Sequence, residues 1–409
     1  MAGRVRWRVP LGPPEPGPPL SPLAVGAGAV FAQGDVFSQG RVLSQGDVLY
    51  GLRLADGHRL WSRAFSRGVA GMWRWQNLVV VLTQSSGRQQ QALTGLDAST
   101  GQARWTLRVG GSVNGFSPTA DGGLAMSVDR EDGVLELEVV DLSTGRVRWT
   151  RPVDSDLVPP LAVGGGAVLF AGGADGDANS SLTSYDDRTG HVRWTEALKP
   201  GVDTQPPLQA SAGLVYLTAE VLQSADGQPT QVLLGIRAAD GRVQWLAYGL
   251  AGSPDPYAPG LMSVTTSAYS GTSQDELDPA TGRVRWQVVS PYQPIATLAG
   301  IVTAPGPDQI SMRDTLTGQI RWTAHLNGGW LPLDVGPLAV EPAAGQVPSA
   351  LQVLPAGPLL VVPAVGPDGS DQLAAFGMSD GHPAWRVTIP GPVAAPMSAV
   401  PGGILVYTV

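Results

Sequence analysis

The element Gly-x-x-x-Trp recurs nine times along the chain: Gly3/Trp7, Gly57/Trp61, Gly101/Trp105, Gly145/Trp149, Gly190/Trp194, Gly241/Trp245, Gly282/Trp286, Gly318/Trp322 and Gly381/Trp385. Nine of the twelve tryptophans sit in it, and successive ones are 54, 44, 44, 45, 51, 41, 36 and 63 residues apart. Self-similarity at such a period marks a repeat architecture, in which one small unit cannot bury its apolar face alone and stacks on its neighbours. Composition narrows the unit. With 54 Gly and 36 Pro in 409 residues, long helices have little room, because each Gly or Pro inside a helix costs about 1 to 3 kcal/mol.

The residues before each Gly take two forms. Five repeats read Asp-x-x-Thr-Gly, beginning at Asp97, Asp141, Asp186, Asp278 and Asp314, and three end in Asp-Gly at Asp56, Asp240 and Asp380. Asp accepts backbone N–H groups at the corner of a turn, and Gly supplies the positive φ that closes it. Each motif therefore predicts a tight turn between antiparallel strands. One strand enters it (93–97, 135–141, 182–186) and the Trp strand leaves it (102–107, 146–150). An apolar run lies upstream (78–82, 167–171, 214–217), preceded by a short strand marked by Pro and small residues (21–25, 159–163, 206–209). Four antiparallel strands in about 40 to 50 residues make one blade of a β-propeller.

The fold class expected is all-β, with residues 1–409 in a single β-propeller of eight four-stranded antiparallel blades. Trp7 stands on an outer strand with no inner partners, and strands at 394–400 and 404–409 follow Trp385. The N- and C-terminal strands are thus expected to close the ring, and a literal count gives eight units and a partial ninth. Residues 246–286 are the weakest unit, with a poor strand pattern around 254–259. The long first interval holds three related hexads, beginning at Ala32, Ser38 and Ser44. Residues 32–49 therefore read as a duplicated hairpin extension. Residues 10–22 carry seven prolines and read as a polyproline-like strap. Extra sequence around 335–348 reads as a loop.

Asp-x-x-Thr-Gly-x-x-x-Trp resembles the tryptophan-docking motif of quinoprotein-type propellers, the PQQ-like repeat, over essentially the whole chain. The resemblance implies that each Trp lies flat between blades and donates its indole N–H to the neighbouring blade, which suits a large ring with one polar handle. The docking residues are then Trp7, Trp61, Trp105, Trp149, Trp194, Trp245, Trp286, Trp322 and Trp385, with Gly57, Gly101, Gly145, Gly190, Gly241, Gly282, Gly318 and Gly381. Trp73, Trp75 and Trp330 fall outside the motif, and no docking is expected there.

Enzymes of that superfamily hold a pyrroloquinoline quinone with Ca²⁺ and a catalytic Asp, often against a disulfide between adjacent cysteines. This chain has no Cys, and its intervals leave no long insertion to build such a pocket. In size and spacing it is similar to the non-catalytic BamB-like branch, without a lipobox Cys or a signal sequence. The expectation is a non-catalytic scaffold for protein–protein interaction, not an enzyme, with no catalytic, cofactor or metal residues and no cofactor. An outer-membrane-assembly or other envelope role follows by analogy alone. The alternative is a quinoprotein dehydrogenase or a cofactor-binding sensor.

Other chemistry is thinly signalled. His58, His191 and His382 each follow a motif Gly and read as solvated turn residues; His325 stands apart. The pairs Glu131/Asp132 and Asp275/Glu276 read as solvated loop charge. A net charge of −8 argues against a nucleic-acid partner, which would favour a basic stripe. The uncharged runs 350–367 and 388–409 are broken by Pro and Gly, so neither predicts a spanning helix. The partner expected is an unidentified protein, the chain a monomer. With no apolar stretch after the arginines of residues 1–7, the location is cytoplasmic if the sequence is complete, or the envelope by family resemblance.

Overall fold

The computed structural model describes residues 5–6, 8–9, 24–26, 29–38, 41–66, 68–83, 91–130, 132–153, 161–172, 181–198, 202–211, 213–221, 230–248, 253–258, 261–268, 271–290, 295–297, 299–306, 308–326, 328–329, 354–389, 393–400 and 403–408. Every regular element among them is a strand. The strands form eight four-stranded antiparallel sheets, at 24–65, 69–108, 111–153, 161–197, 202–248, 253–290, 295–325 and 354–388, followed by a two-stranded hairpin at 393–408. Each sheet is a simple meander, its strands paired in chain order. First strands lie beside first strands, as Leu161–Gly164 does between Gly111–Pro118 and Val202–Ser211, so the first strand is the inner one. This is a β-propeller.

The weak unit is complete. Residues 253–290 form a full sheet despite Pro254 and Pro256, because both prolines lie on its inner strand, which pairs along one edge only. The hexads lie on one long hairpin, Ala29–Ser38 against Arg41–Arg53, with Phe37 opposite Val42 and Gln33 opposite Leu49. The outer strand Arg59–Phe65 pairs only from Asp47 onward, so the hairpin tip overhangs the sheet. Trp7, the strap at 10–22, Trp330 and the loop around 335–348 lie outside the described residues.

The core sits between sheets. Apolar clusters join the first and second sheets (Leu49, Trp61, Val79, Leu96), the second and third (Leu82, Leu93, Leu124, Val140) and the third and fourth (Val139, Trp149, Phe170, Tyr185). Similar clusters join the fourth to the fifth, the fifth to the sixth and the seventh to the eighth. The closing hairpin packs Met397, Ile404 and Val406 against Val361, Leu373 and Trp385 of the eighth sheet. At about 25 cal/mol per Å² of apolar area removed from water, this burial is the main favourable contribution to each joint.

The sixth sheet departs from the pattern. Gln274, Asp275 and Glu276 are buried on Gly271–Leu277, which corrects the reading of Asp275/Glu276 as solvated loop charge. The pair lies mid-strand, and the neighbouring sheets exclude water from both faces. Glu276 stands opposite Trp286, on the side facing the seventh sheet. Ser290, also buried, donates from Oγ to the Ala304 carbonyl of that sheet at 3.1 Å. Asp132 caps the Val134 N–H at 3.1 Å, and Glu131 lies outside the described residues.

Deleting Ser38–Leu49 brings Phe37 to the chain position of Leu49 and removes the overhang. The fold should survive with a melting temperature within a few degrees of wild type, since loop length costs little. A loss as large as a core truncation, read by thermal unfolding, would show that the hexads are integral to the sheet.

Candidate functional site

Eight turns join a third strand to a fourth, and all share one geometry. The motif Gly N–H donates to the carbonyl four residues back, as in Gly101 to Asp97 and Gly145 to Asp141, both at 2.8 Å. The eight glycines have φ between 66° and 77°, a left-handed conformation that costs other residues about 1 to 2 kcal/mol. The two sequence forms then solve the same problem. In Asp-x-x-Thr-Gly the Thr hydroxyl accepts the N–H just after Gly, at 3.3 Å for Gln102 and 3.4 Å for Arg146. In the Asp-Gly form the Asp carboxylate fills that role, for His58 at 3.0 Å and His382 at 3.1 Å.

After the turn, every fourth strand carries a β-bulge at the residue just before Trp. In five sheets that residue is Arg, and it pairs with the Asp that opens the same turn. The pairs are Arg104–Asp97, Arg148–Asp141 at 2.9 Å, Arg193–Asp186 at 2.7 Å, Arg285–Asp278 at 2.8 Å and Arg321–Asp314 at 3.6 Å. These are the five Asp-x-x-Thr-Gly sheets. In the first and fifth sheets the polarity is reversed: Arg53 and Arg237 open the turn and pair with Asp56 and Asp240. The clamp arginines also reach the first hairpin of their own sheet, Arg193 at the Gly165 carbonyl and Arg321 at the Ala299 carbonyl. Serine and arginine donors hold Asp97 well below the usual carboxylate range, and Arg193 and Thr189 do the same for Asp186. Burial opposes ionisation of Asp141, but Ser143, Arg148 and Thr144 outweigh it and bring its pKa to about 2.

The Trp after the bulge crosses to the next sheet. Six indole N–H groups donate to the carbonyl three residues before the next motif Gly: Trp61 to Ala98 at 3.0 Å, Trp149 to Asp187 at 3.0 Å, Trp194 to Ala238 at 2.8 Å, Trp245 to Pro279 at 2.7 Å, Trp286 to Thr315 at 2.9 Å and Trp322 to Met378 at 3.0 Å. The ring lies against that Gly. A Cβ added to Gly101, Gly145, Gly190, Gly241, Gly282, Gly318 or Gly381 would come within 2.6 Å of the preceding sheet's indole. Trp105 occupies the same slot on Gly145, yet its buried Nε1 has no acceptor among the described residues. Trp385 packs on the closing hairpin. Trp75 lies outside the motif but docks comparably, its ring on Gly122 of the next sheet. Beside it, Trp73 meets Phe116 edge-on at 4.6 Å.

One joint differs in its charges. Three residues before the motif Gly, where in six sheets the carbonyl accepts the indole, the other sheets that follow a docking Trp carry Ala98, Leu142, Ala238, Pro279, Thr315 and Met378; the fourth carries Asp187. Asp187 is 4% exposed, and among the described residues its carboxylate accepts no hydrogen bond. Burial pushes its pKa up, aided by the charges of Asp121 and Asp186. Asp121 is a further extra carboxylate, shared with Asp141 as a partner of Arg148 and 2.7 Å from it. Asp121, Asp141, Arg148 and Arg188 line a cleft here. His58, His191 and His382 are exposed turn residues, each on a different sheet. No group of three or more metal-ligating side chains occurs among the described residues.

Four outcomes test this geometry. Trp149→Ala should cost about 3 to 5 kcal/mol in chemical denaturation, as other buried large-to-small changes do. Trp149→Phe should cost about 1 kcal/mol for the lost hydrogen bond, and Trp105→Phe less, because that indole N–H has no acceptor to lose. The clamp carboxylates are held below their ordinary pKa of about 3.9, so their stabilisation is present above it and lost as pH falls toward about 2. A melting temperature that stayed flat over this window would contradict the clamps.

A family model described as outer membrane protein assembly factor BamB matches residues 1–157, 89–249 and 136–299. Together these windows span residues 1–299 of 409. No curated protein matches the chain. Among solved structures, BamB from Moraxella catarrhalis is 17% identical, with 86% of this chain and 95% of that one covered, at a TM-score of 0.49. Quinohemoprotein alcohol dehydrogenase from Comamonas testosteroni is 12% identical, covering 94% and 69%, at 0.45. Dihydro-heme d1 dehydrogenase NirN in complex with DHE is 12% identical, covering 83% and 72%, at 0.50, a likeness of fold. By its repeat and by the family model it matches, the chain belongs to the PQQ-like β-propeller repeat family, in the group described as outer membrane protein assembly factor BamB.

Proposed function

We propose that this protein is a non-catalytic propeller scaffold that binds protein partners, in an envelope-assembly role of the kind its family's description names. The observation that supports this reading is the fate of its carboxylates. Asp97, Asp141, Asp186, Asp278 and Asp314 are engaged by turn N–H groups and clamp arginines. Held ionised and hydrogen-bonded, they are poor general bases, which work best with a pKa near the operating pH. The repeat's polar groups serve the joints and leave loops and rims for recognition, as is usual for a rigid scaffold.

The test has two arms. Purified protein given pyrroloquinoline quinone, Ca²⁺ and an artificial electron acceptor should oxidise no alcohol or aldose, and quinone-dependent turnover would overturn the scaffold reading. Cross-linking in native lysate followed by purification should recover a defined partner protein at fixed stoichiometry.

A further inference from the structure

We propose that the outer strand of the fifth sheet, Val243–Tyr248, is a docking edge for an extended segment of a partner protein. The segment adds to the sheet as a further strand, with apolar residues flanked by a lysine or arginine. The inference deepens the scaffold reading and rests on it. Its first support is charge. Seven of the eight outer strands carry at least one arginine, and Val243–Tyr248 carries no charged residue. The residue before its Trp is Gln244, so the bulge there holds no clamp arginine. The strand pairs with Thr230–Arg237 along one edge, and no described strand pairs with the other. Charged side chains on an edge strand discourage other chains from pairing with it, and among the eight outer strands this one lacks them.

The second support is the set of side chains along that edge. One residue after Trp, the other sheets carry Ser, Thr, Gln or Arg; the fifth carries Leu246, 39% exposed. Three residues after Trp, the fifth sheet carries Tyr248 and the sixth Val289, 60% and 65% exposed, where the others carry Ala, Arg, Pro, His or Thr. Trp245 and Ala247 pack toward the sixth sheet, so Leu246 and Tyr248 share the opposite face, toward the fourth. Trp286 turns to the seventh sheet, so Val289, three residues on, lies on the face toward the fifth. An added strand thus has Leu246 and Tyr248 on one flank and Val289 toward the other.

The partner's charge follows from the neighbouring sheet. Trp194 turns to the fifth sheet, and Glu196, two residues on, shares its face. In the first and third sheets this position holds Arg63 and Arg151, which donate to the motif Gly carbonyl of the next sheet. Glu196 cannot donate, and it makes no ion pair among the described residues. It faces the same joint as Leu246 and Tyr248 from the opposite side, so a cation flanking the apolar residues of the added strand complements it. In such strand addition the main-chain hydrogen bonds supply affinity and the alternate side chains supply selectivity.

The test uses the full chain and the peptide acetyl-Lys-Val-Ile-Val-Thr-Val-Lys-amide as probe, titrated by calorimetry at fixed ionic strength. The peptide should bind, and a version N-methylated at alternate residues should bind weaker by about ten-fold or more, because it cannot complete the main-chain ladder. Leu246→Arg and Tyr248→Arg carry the residue types of Arg386 and Arg108 at the same positions. Both should therefore fold with melting temperatures within a few degrees of wild type, and bind the peptide weaker by about ten-fold or more. Glu196→Arg, with the residue type of Arg151, should weaken binding too, and so should glutamate in place of both peptide lysines. Leu316→Ser, on an exposed turn of the seventh sheet, should bind as wild type does. Absence of peptide binding overturns the proposal, as does equal binding by wild type and Tyr248→Arg or by the plain and N-methylated peptides. Equal binding by wild type and Glu196→Arg overturns the assignment of the flanking cation. Self-association of wild type that Tyr248→Arg abolishes would give the edge to a second copy of this chain, and overturns the proposal as well. Should a cross-linked partner be captured equally by wild type and Tyr248→Arg, the scaffold stands and the edge proposal falls. Quinone-dependent turnover would overturn the scaffold reading whatever the peptide does.

Discussion

The ring of sheets depends on one wedge. A tryptophan indole lies between a residue of its own third strand and the turn glycine of the following sheet, with its N–H on a carbonyl of that same turn. Three requirements meet there. The ring needs a flat slot, which the absence of a Cβ at the motif Gly provides, and in the first, second and fifth sheets Gly51, Gly95 and Gly235 clear the other side. The accepting carbonyl must be fixed. In several sheets the same residue's N–H donates to the first hairpin, as Ala98 does to the Asn77 carbonyl and Asp187 to the Gly166 carbonyl. The turn must hold its shape, and this is the work of the Asp–Arg clamp.

The clamp has a second consequence. Fourth strands are the open edges of their sheets, and open edges invite pairing with other chains. The bulge before Trp interrupts the edge in every sheet, and in five of them an arginine paired back to the turn occupies the break. Just upstream, Val147, Val192, Val243, Val284 and Ile320 remain 39 to 57% exposed. Apolar residues on an interrupted, charged edge are far less prone to strand addition than they would be on a flat one.

The repeat and its turns were legible in the sequence because both are local: a period can be counted, and an Asp-x-x-Thr-Gly turn satisfies its own N–H groups. The arginine before Trp was equally visible. It accompanies the Asp that opens the turn in the same five repeats, and a search for paired changes seven residues apart would have found it. Other features carry no such signal. Gln274, Asp275 and Glu276 look like an exposed polar stretch, because nothing near them in sequence shows that sheets cover both faces. Trp75 on Gly122 is a single contact between two units with no second copy to mark it.

The exceptions bear on function more than the repeats do. Where the template is followed, each residue's role is settled by the joint it serves, and little is left for recognition. Three joints break the template. Between the fifth and sixth sheets, Pro279 still offers its carbonyl to Trp245 but has no N–H to tie back to its own hairpin. At the joint between the sixth and seventh sheets polar groups are buried, Gln274 on Glu276 at 2.8 Å and Ser290 on Ala304 at 3.1 Å, and on the same strand the buried Asp275 Oδ1 accepts no hydrogen bond among the described residues. Between the third and fourth sheets, Asp121 lies at an open cleft, held by Thr119 and Arg148, and Asp187 is buried at the joint with no donor to its carboxylate among the described residues. At Asp187 the template would place an apolar residue or Thr, so the carboxylate there answers to something other than the joint itself.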